Sequence, residues 1–263
     1  MPPTPTSPPA AALVNGVPIL LSDYQAELER FHQARQETGT ELATIGATDE
    51  SVLNALIDLE LLAQEAEQQG HSLSEEELSA HLDSLSQAAG ASENAGAWMA
   101  AYGYDLDSLR RALRRELLAQ MAVEELANQV PAEVEQVLAR HILVADQERA
   151  EQLRQQIIDG ADFGQLALEE SLDLSSRVDG GNLGWFPQGV LTEPEIEQAA
   201  FELEVGEVSA VIKTELGYHL LEVLDREIRP LNPNDMRRLR QLAVESWLEQ
   251  ARQQATIERL VEF

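Results

Sequence analysis

Between Ala139 and Val223 the chain carries four short stretches in order: Ala139-Arg140-His141-Ile142-Leu143-Val144, Ser171-Leu172-Asp173-Leu174-Ser175-Ser176, Gly180-Gly181-Asn182-Leu183-Gly184-Trp185-Phe186 and Leu216-Gly217-Tyr218-His219-Leu220-Leu221. Working outward from them, β-favouring residues predict a strand over Glu135 to Val144 and a final β-rich run over Gly217 to Leu224. Helical spacing predicts a helix from Gln147 to Ile158, stopped by Asp159-Gly160, a second from Asp162 to about Leu172, and a short one from Glu195 to Phe201. Strands and helices in this mixture give an α+β arrangement. Gly180, Gly181 and Gly184 could suggest a phosphate loop, but no lysine-serine pair follows them. A metal held by His141, His219 and Asp173 would lack a further ligand nearby.

A single histidine on a strand is more often a core residue than a reacting one. Two of them framing Gly-Gly-Asn-Leu-Gly reverse that judgement, because the whole set resembles the parvulin family of peptidyl-prolyl isomerases. The resemblance covers about the third quarter of the chain. It implies a four-stranded antiparallel sheet with surrounding helices and, with no cofactor, catalysis of rotation about the amide before proline. That rotation meets a barrier of roughly 18–20 kcal/mol because the bond has partial double-bond character. A catalyst must hold the proline ring in an apolar pocket and favour the twisted amide over the planar one.

The resemblance assigns the polar side of such a site to His141, Asp173, His219 and Thr214, with Ser171 in support. The two histidines are expected to lie side by side, and Asp173 falls where some parvulins have cysteine. The apolar side is assigned to Leu183, Leu191 and Ile196. Ile196 departs from the family, which usually places an aromatic ring there, and Thr192-Glu193-Pro194-Glu195 is one residue longer than usual. Phe201 is a candidate for the compensating ring, or else a core residue. A shallower pocket implies weak to moderate activity. Arg177 is the only basic residue between Glu169 and Glu195, so no phosphate next to proline should be required.

The remainder of the chain is mostly helical. Leu13-Val14-Asn15-Gly16-Val17-Pro18-Ile19 predicts a tight hairpin, with Asn-Gly supplying positive backbone angles. Ser22 is the expected cap of a first helix bearing Tyr24, Leu28 and Phe31. Val52, Leu53, Leu56, Ile57, Leu59 and Leu62 mark a helix from Asp49 to about Gln69. Ser74 and Glu77 form a capping box before the next. A long helix with Leu109, Leu113, Leu117 and Met121 should be capped by Asp107 or Ser108. This opening is similar to that of the chaperone domain of SurA- and PrsA-type foldases. From Asn234 to Phe263 the pattern is helical again, and an isolated helix needs a host on which to pack its apolar face.

The expected domains are therefore a Pro-rich linker over 1–12, a helical chaperone domain over 13–130, an inserted isomerase domain over 131–230, and a C-terminal helix over 231–263 returning to the helical domain. Arg110, Arg111, Arg114 and Arg115 read as a solvated face pairing with Glu116 and its neighbours. Trp98, Met99, Tyr102 and Tyr104 read as an adaptable apolar patch, or equally as core.

The formal charge is −29, from 47 acidic against 18 basic residues, which argues against nucleic acid or an anionic membrane as the partner. Basic or unfolded cationic clients stay open to such a charge, and the resemblance implies unfolded or proline-containing client polypeptides. There is no cysteine, which excludes disulfides, thiolate metal sites and a thiol nucleophile. No segment is apolar enough to span a bilayer and no charged-then-apolar leader is present. The stiff Pro2 to Pro9 run is what would remain after removal of an export signal or membrane anchor, with a natural disordered tail as the alternative. The leading expectation is an extracytoplasmic isomerase and chaperone. Its rivals are a holdase or assembly factor whose parvulin domain only binds peptide, and an accessory factor for one intracellular enzyme. Family behaviour also makes a homodimer plausible.

Overall fold

A computed structural model of the protein describes residues 8–38, 49–88 and 95–263. The chain divides into two compact units, one of Met1–Ala127 with Val244–Phe263 and the other of Asn128–Ala243.

In the first unit, β1 (Ala10–Val14) and β2 (Val17–Leu20) form a hairpin about Asn15 and Gly16, whose φ angles are +52° and +84°. Two successive positive angles are what a type I′ turn requires and what Asn-Gly tolerates. Helices follow at Leu21–Thr38 (α1), Asp49–Gln68 (α2), Glu75–Ala88 (α3), Ala95–Ala101 (α4) and Leu106–Asn128 (α5). The capping box is present: the Ser74 N–H donates to Glu77 Oε2 at 2.8 Å, and the Glu77 N–H donates to Ser74 Oγ at 3.2 Å.

Two expected caps are corrected. Ser22 lies inside α1, whose first N–H, that of Leu21, donates instead to the Pro9 carbonyl at 2.9 Å. The cap of α5 is Asp105, whose Oδ1 accepts the Ser108 N–H at 2.7 Å while Ser108 Oγ accepts the Asp105 N–H at 2.9 Å. Ser108 is thus the reciprocal partner of the cap and not the cap itself.

The arginines of α5 are also corrected, since they bridge helices rather than pairing with Glu116. Arg111 forms a two-pronged bond with Asp23 of α1, Arg114 reaches the Leu73 carbonyl and Glu75, and Arg115 meets Glu60 of α2 at 2.9 Å in a largely buried pair. The Trp98 side chain and residues 1–7 of the Pro-rich segment lie outside the described residues. Tyr102 is exposed, whereas Arg30 stacks 4.1 Å over the Tyr104 ring.

The C-terminal element is a helix only to Gln254 (α9, Pro233–Gln254). Ile257–Arg259 then forms a strand, β7, antiparallel to β1, giving the sheet order β2-β1-β7. This corrects the expectation of helix to Phe263. Trp247, Ala251, Ile257 and Val261 pack on a core of Val14, Ile19, Leu53 and Ile57, and Val244, Trp247 and Leu248 pack on Leu62, Ala66, Leu118 and Ala122.

The second unit is built on β3 (Glu133–Val144), β4 (Asn182–Pro187), β5 (Ile212–Lys213) and β6 (Tyr218–Pro230), in an antiparallel sheet of order β4-β3-β6-β5. Side chains alternate across it. Ile142 and Val144 of β3 and Leu220 of β6 pack with Ala150, Leu153, Phe163 and Leu166 of α6 (Gln147–Ile158) and α7 (Phe163–Glu170). Val137 and Ala139 of β3 and Leu221 and Val223 of β6 pack with Ile196 and Ala200 of α8 (Pro194–Glu202) on the opposite face. By the same alternation His141, Leu143 and His219 belong to the α8 face. Register shifts on β3 between Leu138 and Ala139 against β6, and between Ala139 and Arg140 against β4, fall just before His141.

Candidate active site

The two histidines come from neighbouring strands, with Leu143 paired to His219 and His141 to Leu221, so they stand diagonally on one face. Both are buried, at 8% and 2% exposure. Their rings are stacked at 24° with centroids 5.6 Å apart, and their Nδ1 atoms are 3.4 Å apart. The other nitrogen of each ring is also engaged. His141 Nε2 lies 2.8 Å from Asp173 Oδ2 and 3.1 Å from Ser176 Oγ, and His219 Nε2 lies 2.8 Å from Thr214 Oγ1. Asp173, His141, His219 and Thr214 therefore form one continuous polar chain.

Asp173 is held in place by a turn of its own making. Its Oδ1 accepts the Ser175 N–H at 3.0 Å and hydroxyl at 2.6 Å, and its Oδ2 accepts the Ser176 hydroxyl at 2.5 Å. Partial burial would by itself raise the pKa of this carboxyl, but the bonds from Ser175, Ser176 and His141 outweigh it and hold the group well below the usual carboxylate range. It is an anion at any physiological pH. Burial, reinforced by His141 alongside, lowers the pKa of His219 to about 4, against the smaller opposing pull of Asp173 and Glu195. His219 is therefore neutral near pH 7, and only one of two facing Nδ1 atoms can supply the proton between them. The direction of donation along the chain is thus set as a unit.

This polar chain borders a cavity of about 260 Å³ lined by His141, Leu143, Asp173, Ser175, Leu183, Leu191, Thr192, Glu193, Ile196, Leu216 and His219. Leu183 comes from β4, Leu191 from the loop after it, and Ile196 from the first turn of α8. Ile196 also packs in the core beneath. One wall is thus apolar and the other polar.

Thr214 and Ser171 stand behind the cavity rather than on it. Thr214 supports His219 and accepts the Leu216 N–H at 3.1 Å. Ser171 Oγ accepts the Leu143 N–H at 3.2 Å and the Asp173 N–H at 3.3 Å, fastening the Asp173 loop to β3. Phe201 is corrected: it does not line the cavity, but packs edge-on against Phe186 at 6.2 Å with Arg226 over its other side. Its position near the end of α8 turns it into the core.

Several participants escaped the sequence reading. Leu143 follows His141 at strand period two and was legible in principle. Ser175 and Ser176 follow an aspartate at turn spacing, another usable signal. Glu197 gave none. It is buried, and its carboxylate accepts three successive backbone N–H groups, from Gly189 at 2.7 Å and from Val190 and Leu191 at 3.0 Å each. It anchors the loop that presents Leu191 to the cavity.

Two glycines are required by close approach. A Cβ on Gly181, at φ +82°, would lie 2.1 Å from the His141 carbonyl oxygen, and the His141 N–H donates to the Gly181 carbonyl at 2.8 Å. A Cβ on Gly217, at φ +143°, would lie 2.6 Å from the Val144 carbonyl oxygen.

Comparison with known proteins matches residues 141–225 to the PPIC-type PPIase domain and residues 4–97 to the SurA-like N-terminal domain. The foldase protein PrsA of Caldanaerobacter subterraneus is 29% identical over 246 residues, covering 84% of this chain and 75% of that protein. PrsA of a Geobacillus strain is 35% identical over 164 residues, covering 59% of this chain and 58% of that protein. The crystal structure of the PrsA peptidylprolyl isomerase from Bacillus cereus shares the fold, with a TM-score of 0.51 at 22% identity over 94% of this chain and 90% of that one. The chain thus carries a PPIC-type PPIase domain over residues 141–225 and a SurA-like N-terminal domain over residues 4–97, the pairing by which it resembles the PrsA foldases.

Proposed function

We propose that the cavity bordered by His141, Asp173 and His219 is where this chain isomerises X-Pro bonds of unfolded client polypeptides. The observation that carries the reading is the pairing of an apolar wall, Leu183, Leu191 and Ile196, with a buried, mutually bonded polar chain opposite. The proline ring sits against the apolar wall. The polar chain holds a fixed field beside the amide carbonyl, and the twisted amide, whose carbonyl and nitrogen have lost conjugation, gains more from that field than the planar one. Every polar partner is bonded before substrate arrives, so little reorganisation accompanies the rotation. No bond to the protein is made or broken.

In this reading residues 131–230 act as the isomerase domain, and 13–130 with 231–263 grip the client. A cavity of about 420 Å³ lined by Phe31, Val52, Leu56, Leu59 and Tyr104 supports the second role. The chain works outside the cytoplasm and pairs with a second copy. A weaker variant of the reading, a holdase whose parvulin domain only binds peptide, draws support from the aliphatic Ile196.

The deciding experiment is the cis-to-trans rate of a short unphosphorylated X-Pro peptide with the full chain, set against folded Asp173→Ala and His219→Ala variants. A wild-type acceleration lost in both variants supports catalysis at this cavity. A wild-type rate equal to buffer leaves the holdase reading.

A further inference from the structure

The charged side chains lining the cavity are Asp173 and Glu193, and no lysine or arginine lines it among the described residues. Asp173 is committed to its bonds with Ser175, Ser176 and His141, but its negative charge is not matched by a fixed cation. Glu193 is different. It caps the start of α8 through its backbone carbonyl, which accepts the N–H groups of Ile196 and Glu197 at 3.1 Å each, while its side chain makes no capping bond. Among the described residues its carboxylate has no hydrogen-bond or ion-pair partner, although it sits half-buried on the cavity between Thr192 and Ile196.

Glu195 adds to the same field, since its charge is felt at His219. The nearest arginine on β3, Arg140, is already bound to Glu222 at 2.6 Å. An unpaired anion lining a pocket whose other charged side chain, Asp173, is also an acid, on a chain of net charge −29, favours a cation in the ligand and repels an acid.

Resting on the isomerase reading above, we infer that Glu193 is a specificity-determining residue, selecting client segments with a lysine or arginine directly beside the proline. The expected substrate class is therefore cationic X-Pro segments, and acidic or phosphorylated ones are the poorest. Glu193 is partly exposed, so the discrimination is that of a surface ion pair, about two- to five-fold for lysine over alanine, with glutamate lower again.

The test uses the full chain at low salt and peptides that differ only in the residue beside proline, namely lysine, alanine or glutamate, before or after it, with rates taken from NMR exchange. The order lysine, alanine, glutamate in kcat/KM is expected, narrowing at high salt. The lysine-to-glutamate ratio should fall toward one in Glu193→Gln and invert in Glu193→Lys. Isomerisation of all the peptides without a charge order, or an order unchanged in both variants, overturns this inference and leaves the isomerase reading standing. Absence of isomerisation with every peptide overturns that reading and this inference together.

Discussion

His141 Nε2 lies 2.8 Å from Asp173 Oδ2, so a strand residue and a loop residue 32 positions later form the polar wall of the cavity together. Asp173 is the negative end of the chain that continues through His219 to Thr214. Asp173→Asn removes the charge and turns an amide N–H₂ toward groups that already donate. We expect kcat/KM on an unphosphorylated X-Pro peptide to fall at least about ten-fold, equivalent to ~1.4 kcal/mol of transition-state stabilisation. Stability should fall by about 1–3 kcal/mol, the range for losing bonds to a charged group. Urea melts beside the peptide assay separate the two effects, and full activity in a folded Asp173→Asn protein would remove Asp173 from the mechanism.

His219 gives the chain a pH signature. Its pKa is lowered to about 4 in the folded protein, whereas an unfolded histidine titrates near 6.5. Between those values the unfolded state binds more protons, so stability rises with pH across this window. His219 therefore contributes fully above about pH 6.5, and its contribution is lost as pH falls toward 4, by on the order of 3 kcal/mol. Asp173 acts in a lower window, its contribution being present above the ordinary aspartate range near pH 3.9 and lost as pH falls below it. Denaturant melts from pH 7.5 to 4 should show a smaller slope in His219→Gln than in the wild-type protein. Equal slopes would mean that His219 does not stay neutral on folding.

Glu197 acts through Leu191. Three N–H groups converge on its carboxylate, and removing the acceptor leaves them unsatisfied at a partly buried site, at a cost of about 1–3 kcal/mol. Glu197→Ala should release the Gly189–Leu191 loop, raising KM for an X-Pro peptide several-fold more than it lowers kcat. Glu197→Gln, which keeps one acceptor oxygen, should restore part of the loss. If KM stays constant while only the melting temperature falls, Glu197 supports the fold and not the pocket.

What could be read from the sequence was whatever is encoded locally. Asn15-Gly16 specifies its turn by backbone angle, and Ser74 and Glu77 bond each other within one helical turn. His141 and His219 stood out because the glycine turn between them carries a recognisable order. Elements created by distant partners were not legible. The three residues of β7 become a strand only by pairing with β1, more than 240 positions earlier in the chain. Glu197 meets backbone N–H groups, which no side-chain identity announces. Phe201 has the right chemistry for a proline wall, but its place on α8 faces it to Phe186.

Gly181 provides the sharpest test of how β3 and the glycine turn cooperate. Its φ of +82° is one that L side chains rarely adopt, and a Cβ there would collide with the His141 carbonyl at 2.1 Å. Gly160 also has a positive φ, +101°, yet a Cβ there meets nothing within 4 Å. Gly160→Ala should therefore incur backbone strain alone, about 1–3 kcal/mol. Gly181→Ala adds a steric clash that only displacement of β3 can relieve, and the residue displaced is His141. We expect a loss well above that of Gly160→Ala, together with loss of isomerase activity in whatever fraction remains folded. Chemical denaturation of the two variants side by side checks this. Equal losses would show that the turn can move away from His141, and that the contact does not position the histidine.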